Sequence, residues 1–364
     1  EFTTREELLP TIESILRVFD RAGNRDNKLR ARLKWLVDSI GIDELRARII
    51  KDRHFLLGSA NWPGGIPSAV VEAGDAPAGV AAGESPREIG VPVHLVSSDP
   101  FKRWEEANVV RGAANGTVSS YASCALGDVT SEQLLGVAAI QRDFGLEVRV
   151  TNRQNFVFRG LAESQLRDLH ERLVALDMAK PGVELARDVV SCPGADTCNL
   201  AVTQSRGLAA DIGETLERTG LAEVGGIRVN ISGCTNSCGQ HHVSDIGFVG
   251  IERRAHGKAA PGYQMLLGGG VGKTEIVFGE KAAKLPAKNA ANAVVRVVGQ
   301  FAKERTAGET FPQWLARSGG AAKIGASLAD LDVFPTPEEA PDFYVDFDET
   351  GPYVKEVGAS ECAT

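Results

Sequence analysis

Four cysteines stand in two short, turn-rich segments. Cys192 and Cys198 lie in SCPGADTCNLAVTQSRGLA, and Cys234 and Cys238 in IRVNISGCTNSCGQHHVSDIGF. The spacings are C-x5-C and C-x3-C, within stretches rich in Gly, Pro, Asn and Ser. Four thiolates gathered from two loops have the softness and the count that hold an iron–sulfur cluster. Two other chemistries use the same residues. A structural zinc ion also takes four such ligands, but its paired knuckles are usually about two to four residues apart, and the first pair here is wider. Disulfides would use the four as two pairs, yet they concentrate in small secreted domains. This chain has 364 residues and no apolar signal segment. The spacing favours a cluster and leaves zinc and disulfides open. Gly194, Gly233 and Gly239 sit inside the turns, where they would let backbone N–H groups approach cluster sulfurs or simply satisfy turn geometry.

The same residues carry a resemblance. CPGADTC followed by GCTNSCGQHH resembles the cluster motif of the sirohaem-containing nitrite and sulfite reductases. GLEVRVTNRQNFVFRGL resembles that family's repeat ending in T-x-x-Q-N, and GNRDNKLRARLKWLVDSIGIDELR resembles the link between its two halves. The resemblance covers nearly the whole chain. It implies that Cys192, Cys198, Cys234 and Cys238 hold a [4Fe–4S] cluster and that Cys238 is also the axial ligand of the sirohaem iron. Sirohaem is rich in carboxylates, and Arg153, Gln154, Asn155 and Asn236 match the positions that would bind it. Gln240, His241 and His242 directly follow the last cysteine and could add hydrogen bonds.

The implied reaction is the six-electron reduction of nitrite to ammonia or of sulfite to sulfide. Ferredoxin or a flavoprotein reductase would supply the electrons. In that family the cations that meet the substrate belong largely to the first half of the polypeptide. This sequence starts near the end of that half, so no catalytic residue is named, and a companion polypeptide is expected to supply the missing part. Two readings from other classes stand beside this one: an iron–sulfur electron-transfer module without sirohaem, and a zinc-stapled structural or nucleic-acid-binding domain.

Composition narrows the setting. The chain is 43% hydrophobic and 24% charged, an ordinary globular balance, and no run is long and apolar enough for a membrane helix. Net charge is −8, of which residues 336–364 supply −7. The body is therefore nearly neutral. Arg21 to Lys34 holds six basic residues and one Asp, read here as a solvated helix face rather than a nucleic-acid site. A reduced, cytoplasmic compartment is expected, without nucleic-acid or membrane partners.

The elements must bring the cysteine turns together. Leu8, Ile12, Ile15, Leu16 and Phe19 predict a helix capped by Thr4; Leu29, Leu33, Leu36 and Ile40 predict a second, ended by Gly41; Ile42–Ile50 predicts a third. Residues 61–91 read as a Gly/Ala/Pro-rich linker. Between 92 and 182, strands at 93–96, 116–123, 146–150 and 155–158 alternate with helices at 130–144 and 166–176, an α+β layer of ferredoxin-like type. Cys124 on this layer reads as a small buried residue. Residues 183–335 form the cluster- and sirohaem-binding α+β domain, in which strands enter both cysteine turns and a helix over 197–217 leaves the first. Gly268 to Thr274 imitates a phosphate loop, but Leu267 stands where that motif needs Gly. Residues 336–364 form an acidic tail, expected as readily disordered as packed.

Overall fold

The computed structural model describes residues 3–26, 31–59, 97–111, 116–272 and 276–355. The chain divides into two compact units, residues 1–78 with 359–364, and residues 79–358. The expected linker and the strand at 93–96 lie outside the described residues, as does Cys362.

The first unit is helical: α1 (Arg5–Ala22), α2 (Leu33–Ile40) and α3 (Ile42–Leu57). Thr4 caps α1 through a reciprocal box with Glu7, which satisfies two of the otherwise orphaned N–H groups. Gly41, at φ +82°, makes the break between α2 and α3. Val18, Leu36 and Leu45 form the apolar seam. Helix α3 runs on past Ile50 to Leu57 because the charged residues there are paired rather than solvated. Asp52 is buried between Arg17 and Arg21 of α1, and Arg53 donates to Thr11. A cleft of about 700 Å³ in this unit is lined by Arg17, Arg21, Arg48, Lys51 and Asp52.

The second unit opens with α4 (Pro100–Asn108), capped by Asp99, then β1 (Val109–Val110) and β2 (Val118–Ala122). It continues with α5 (Ser131–Phe144), β3 (Glu147–Val150), β4 (Phe156–Leu161) and α6 (Leu166–Ala175). The four strands make an antiparallel sheet in the order β1-β2-β4-β3. Trp104, Val137, Ile140, Phe158, Leu161, Leu169 and Leu173 fill the core between sheet and helices. This is the expected ferredoxin-like half-domain.

The remainder contains β5 (Val190–Ser191), α7 (Ser205–Arg218), β6 (Val229–Ser232), β7 (Ile246–Ala255), β8 (Lys258–Leu267), β9 (Gly270–Val271), β10 (Ile276–Val277) and β11 (Glu280–Pro286). It closes with α8 (Ala290–Glu304), α9 (Phe311–Arg317) and α10 (Gly320–Ala326). Five strands order as β11-β8-β7-β6-β5, with β5, β6 and β7 parallel and the others antiparallel. Helices α7 and α8 bury Leu208, Ile212, Leu216, Val294 and Val298 in the same core as Ile231, Phe248 and Met265. At about 25 cal/mol per Å² of apolar surface removed from water, a core this size is the main term holding the strand ends in place.

One expectation is corrected. The helix after the first cysteine turn begins at Ser205, not near Thr197, because the backbone of 195–203 bonds instead to itself and to the second turn. The tail, for which the sequence leaves packing and disorder both open, anchors on the body through Tyr344, Asp346 and Tyr353, which are buried. Of the phosphate-loop imitation, residues 268–272 are described and include β9, and among the described residues no helix follows the glycines there. A Cβ at Gly269 would overlap the His242 carbonyl, so this turn lies against the segment that leaves the last cysteine.

Candidate metal centre

Strands β5 and β6 are parallel, in register Ser191↔Ile231, so both present their carboxyl ends at one edge of the sheet. Cys192 follows β5 directly, and Gly233 and Cys234 follow β6. In open sheets with parallel strands, ligands bind beyond such ends because the connecting loops gather there. The ladder continues one residue past the strand, with Cys192 N–H donating to the Ile231 carbonyl at 3.1 Å. The Gly233 N–H then donates to Cys192 Sγ at 3.2 Å. Ser205 Oγ donates to the Cys192 carbonyl at 2.8 Å and lies 3.3 Å from its sulfur. An amide donor of this kind stabilises negative charge on sulfur, while the hydroxyl fixes the Cys192 backbone.

The two turns touch. Gly194 has φ +67°, and a Cβ added at Gly233 would lie 3.1 Å from the Gly194 Cα and 2.7 Å from the Thr203 carbonyl oxygen. A larger residue at Gly233 would wedge the turns apart, and one at Gly194 would collide with the backbone nitrogen and hydroxyl of Ser205. The loop between Cys198 and α7 is stitched across this contact: Val202 and Thr203 N–H both donate to the Gly233 carbonyl, at 2.7 and 3.3 Å. Ala195 N–H donates to the Thr203 carbonyl at 3.1 Å, and Cys198 N–H to the Gly194 carbonyl at 3.0 Å.

The second turn is held in a strained shape. Ser237 and Gln240, on either side of Cys238, take φ values of +62° and +57°. Residues other than glycine adopt that region only where their surroundings over-determine it. Here Gly239 N–H donates to Ser232 Oγ at 3.1 Å, and Asn230 Nδ2 donates to the Gly239 carbonyl at 2.9 Å. A Cβ at Gly239 would overlap the Ile231 carbonyl. Cys192, Cys198 and Cys234 are half-buried and Cys238 is exposed.

The other predicted residues divide. Arg153 is buried, with Nε bonded to Asp188 at 3.1 Å and Nη2 bonded to the Asp188 carbonyl, while its Nη1 is buried without a partner. Gln154 is exposed, at φ +64°, and its Nε2 donates to the Ser191 carbonyl just before Cys192. Asn155 is buried and fully engaged: its amide nitrogen donates to the Arg153 carbonyl and the Asp188 carboxylate, and its oxygen accepts from Cys124 N–H. Both of its amide hydrogens are thus taken by protein groups. Asn236 is half-buried within the second turn. His241 is 1% exposed, its Nδ1 has no partner, and burial, with His242 beside it, lowers its pKa to about 4. His242 stacks between His241 and Phe278.

Cys124 is buried in the core of the half-domain, and burial raises its thiol pKa to about 11, so it stays protonated and inert. The described cysteines form no disulfide. Among the described residues no three His, Cys, Asp or Glu side chains are gathered tightly enough to hold a single metal ion. Touching turns, an N–H on a thiol sulfur, glycine cradles and partnerless Arg153 Nη1, Ser191 Oγ and His241 Nδ1 fit a larger, anionic group.

Sequence reasoning missed Asp188, Ser205, Asn230 and Ser232, which fix the turns. No motif flags them: Ser205, Asn230 and Ser232 bond to backbone atoms of other residues, and Asp188 to the side chains of Arg153 and Asn155 in another segment.

The family model described as "Nitrite and sulphite reductase 4Fe-4S domain" matches residues 1–54 and 183–322, more than half of the chain. The chain belongs to that family. The model for the nitrite/sulfite reductase ferredoxin-like half domain matches residues 112–176. The chain is 27% identical over 324 residues to the assimilatory ferredoxin-dependent nitrite reductase of Haloferax mediterranei, covering 86% of this chain and 50% of that one. It is 28% identical over 313 residues to the ferredoxin sulfite reductase of Mycobacterium tuberculosis, covering 84% and 50%. The solved structure of the NirA protein of M. tuberculosis matches with a TM-score of 0.60 at 27% identity, over 85% of this chain and 52% of that one. The chain thus spans about half the length of the curated relatives it matches. Its 4Fe-4S domain coincides with the sheet whose strand ends carry the cysteine turns.

Proposed function

We infer that this chain is the cofactor-bearing, C-terminal half of a nitrite or sulfite reductase. The observation that carries the reading is the meeting of two cysteine turns at the carboxyl ends of β5 and β6, with the Gly233 N–H on Cys192 Sγ. Cys192, Cys198, Cys234 and Cys238 would hold a [4Fe–4S] cluster, and Cys238, the most exposed of them, would also meet the sirohaem iron. When bound, the coupled pair supplies single electrons in succession to a small oxyanion, which is what a six-electron reduction requires.

The protein's own residues have distinct tasks. The Gly233 N–H donates to the Cys192 sulfur, and the Ser205 hydroxyl holds the Cys192 carbonyl, so both fix where this ligand points. Arg153 Nη1 is a buried cationic donor without a partner, suited to a sirohaem carboxylate. Gln154 and Asn236 offer further amides at the rim. Asn155 orients Arg153 through its carbonyl and the shared Asp188. The partners fitting this reading are ferredoxin or a flavoprotein reductase as electron donor, nitrite or sulfite as substrate, and a companion polypeptide carrying the cations of the substrate pocket. The division into a helical segment to residue 60, a linker to 91, a half-domain to 182, a cluster domain to 335 and a tail belongs to the same proposal, as does a cytoplasmic setting.

The test is the absorption spectrum of the full chain reconstituted anaerobically with iron, sulfide and sirohaem. A Soret band with visible haem bands above broad cluster absorption supports the reading. A cluster spectrum that gains no haem bands would make the chain an electron-transfer module, and bound zinc without labile sulfide would make it a stapled structural domain.

A further inference from the structure

The loop from Asn199 to Gln204 is the connection between Cys198 and helix α7. Every buried N–H and C=O in such a loop needs a partner, and an unpaired one is costly. Val202 and Thr203 N–H and the Thr203 carbonyl find theirs at Gly233 and Ala195, within the cysteine turns. The Val202 carbonyl and the Gln204 N–H are satisfied from elsewhere. Both are taken by the C-terminal segment. Tyr353 Oη donates to the Val202 carbonyl at 2.8 Å, and Asp346 Oδ2 accepts from Gln204 N–H at 3.0 Å. The Gln204 side chain also donates to Glu349 at 3.0 Å.

The segment is built to stay there. Tyr353 N–H donates to the Tyr344 carbonyl at 2.7 Å, and Tyr344 Oη donates to the Pro335 carbonyl at 2.8 Å. Tyr344 and Phe334 pack on Ala260 of β8. On the loop side, Phe347 lies so close to Gly207 that a Cβ there would overlap it, and Lys288 Nζ caps the Phe347 ring at 4.1 Å. Asp346 and Tyr353 are only 5% and 8% exposed. An acidic tail held this way does more than add solubility, because its hydrogen bonds reach one loop.

We propose that Asp346 and Tyr353 are positioning residues which clamp the Val202–Gln204 connection and thereby fix the arm carrying Cys198 against the second cysteine turn at Gly233. The inference rests on the reading of Cys198 as a cluster ligand, for which placement of the thiol matters. The placement itself can be measured without any cofactor.

The experiment follows alkylation of each thiol by iodoacetamide, resolved by peptide mass spectrometry, in the full reduced chain without metal. Tyr353→Phe removes one hydroxyl with little change of shape, and Asp346→Ala removes the acceptor. Each should raise the Cys198 rate several-fold relative to Cys124, whereas Asp346→Asn, which keeps an acceptor oxygen, should stay near the parent. Unchanged Cys198 reactivity in Tyr353→Phe would overturn the proposal. So would an equal rise at all thiols, which would mark general loosening. Because Asp346→Ala could fail to fold, the near-isosteric Tyr353→Phe is the deciding variant. Iron and labile-sulfide content of the parent tests the cluster reading separately, so the two failures are distinguishable.

Discussion

At the scale of single residues, the site is defined as much by what is missing from Cα as by the thiols. Gly239 lies where any side chain would overlap the Ile231 carbonyl, a backbone atom inside the parallel ladder that cannot yield. Gly239→Ala should therefore lower the unfolding free energy by about 1–3 kcal/mol, as overpacking does, and this is measurable by denaturant titration. His241 makes a second residue-level prediction. Its folded pKa of about 4 lies below that of the unfolded chain, about 6.5, because burial disfavours the imidazolium. Its contribution to stability is thus full above pH 6.5 and is lost as pH falls towards 4, by up to about 3 kcal/mol. Denaturation midpoints over that window should fall more steeply for the parent than for His241→Asn. The four cysteines and their glycines are legible in the sequence because thiol spacing and turn residues are local signals. The partnerless Nδ1 of His241 and the full engagement of Asn155 are not, since both depend on which atoms fold around them.

At the scale of elements, apolar runs at Val189–Val190 and Ile227–Ile231 announce strands entering the cysteine turns, and the strands lie there as β5 and β6. Parallel pairing of the two cannot be read from either run alone. It is the pairing that puts both turns at one edge. The start of α7 escapes the sequence for a physical reason. Within residues 197–204 the Val202 and Thr203 N–H groups bond to Gly233 of the second turn, those of Cys198 and Ala201 bond within the loop, and that of Gln204 bonds to Asp346. Helix α5 starts where its sequence pattern places it, and a reciprocal box between Thr130 and Gln133 fixes that start. Thr130→Ala should cost about 1 kcal/mol, visible as a lower thermal midpoint, while leaving thiol reactivity at Cys192 unchanged.

At the scale of the whole molecule, sequence separation stops being a guide. The tail residues Asp346 and Tyr353 close hydrogen bonds on the loop after Cys198, and an acidic composition that suggests disorder conceals four aromatic anchors. The half-domain contributes its T-x-x-Q-N turn, through Gln154, to the strand end just before Cys192. The chain spans about half of its relatives' length, yet these long-range contacts are internal to it. The central claim concerns all of them together: two turns and four sulfurs form one seat. Its most direct test is iron and acid-labile sulfide content after anaerobic reconstitution, compared across the parent, Cys124→Ser, and single Ser replacements of Cys192, Cys198, Cys234 and Cys238. The account predicts iron and sulfide in equal amounts in the parent and Cys124→Ser, and marked loss of both in each of the other four. Retention of a full cluster by any of those four, or its loss from Cys124→Ser, would contradict it.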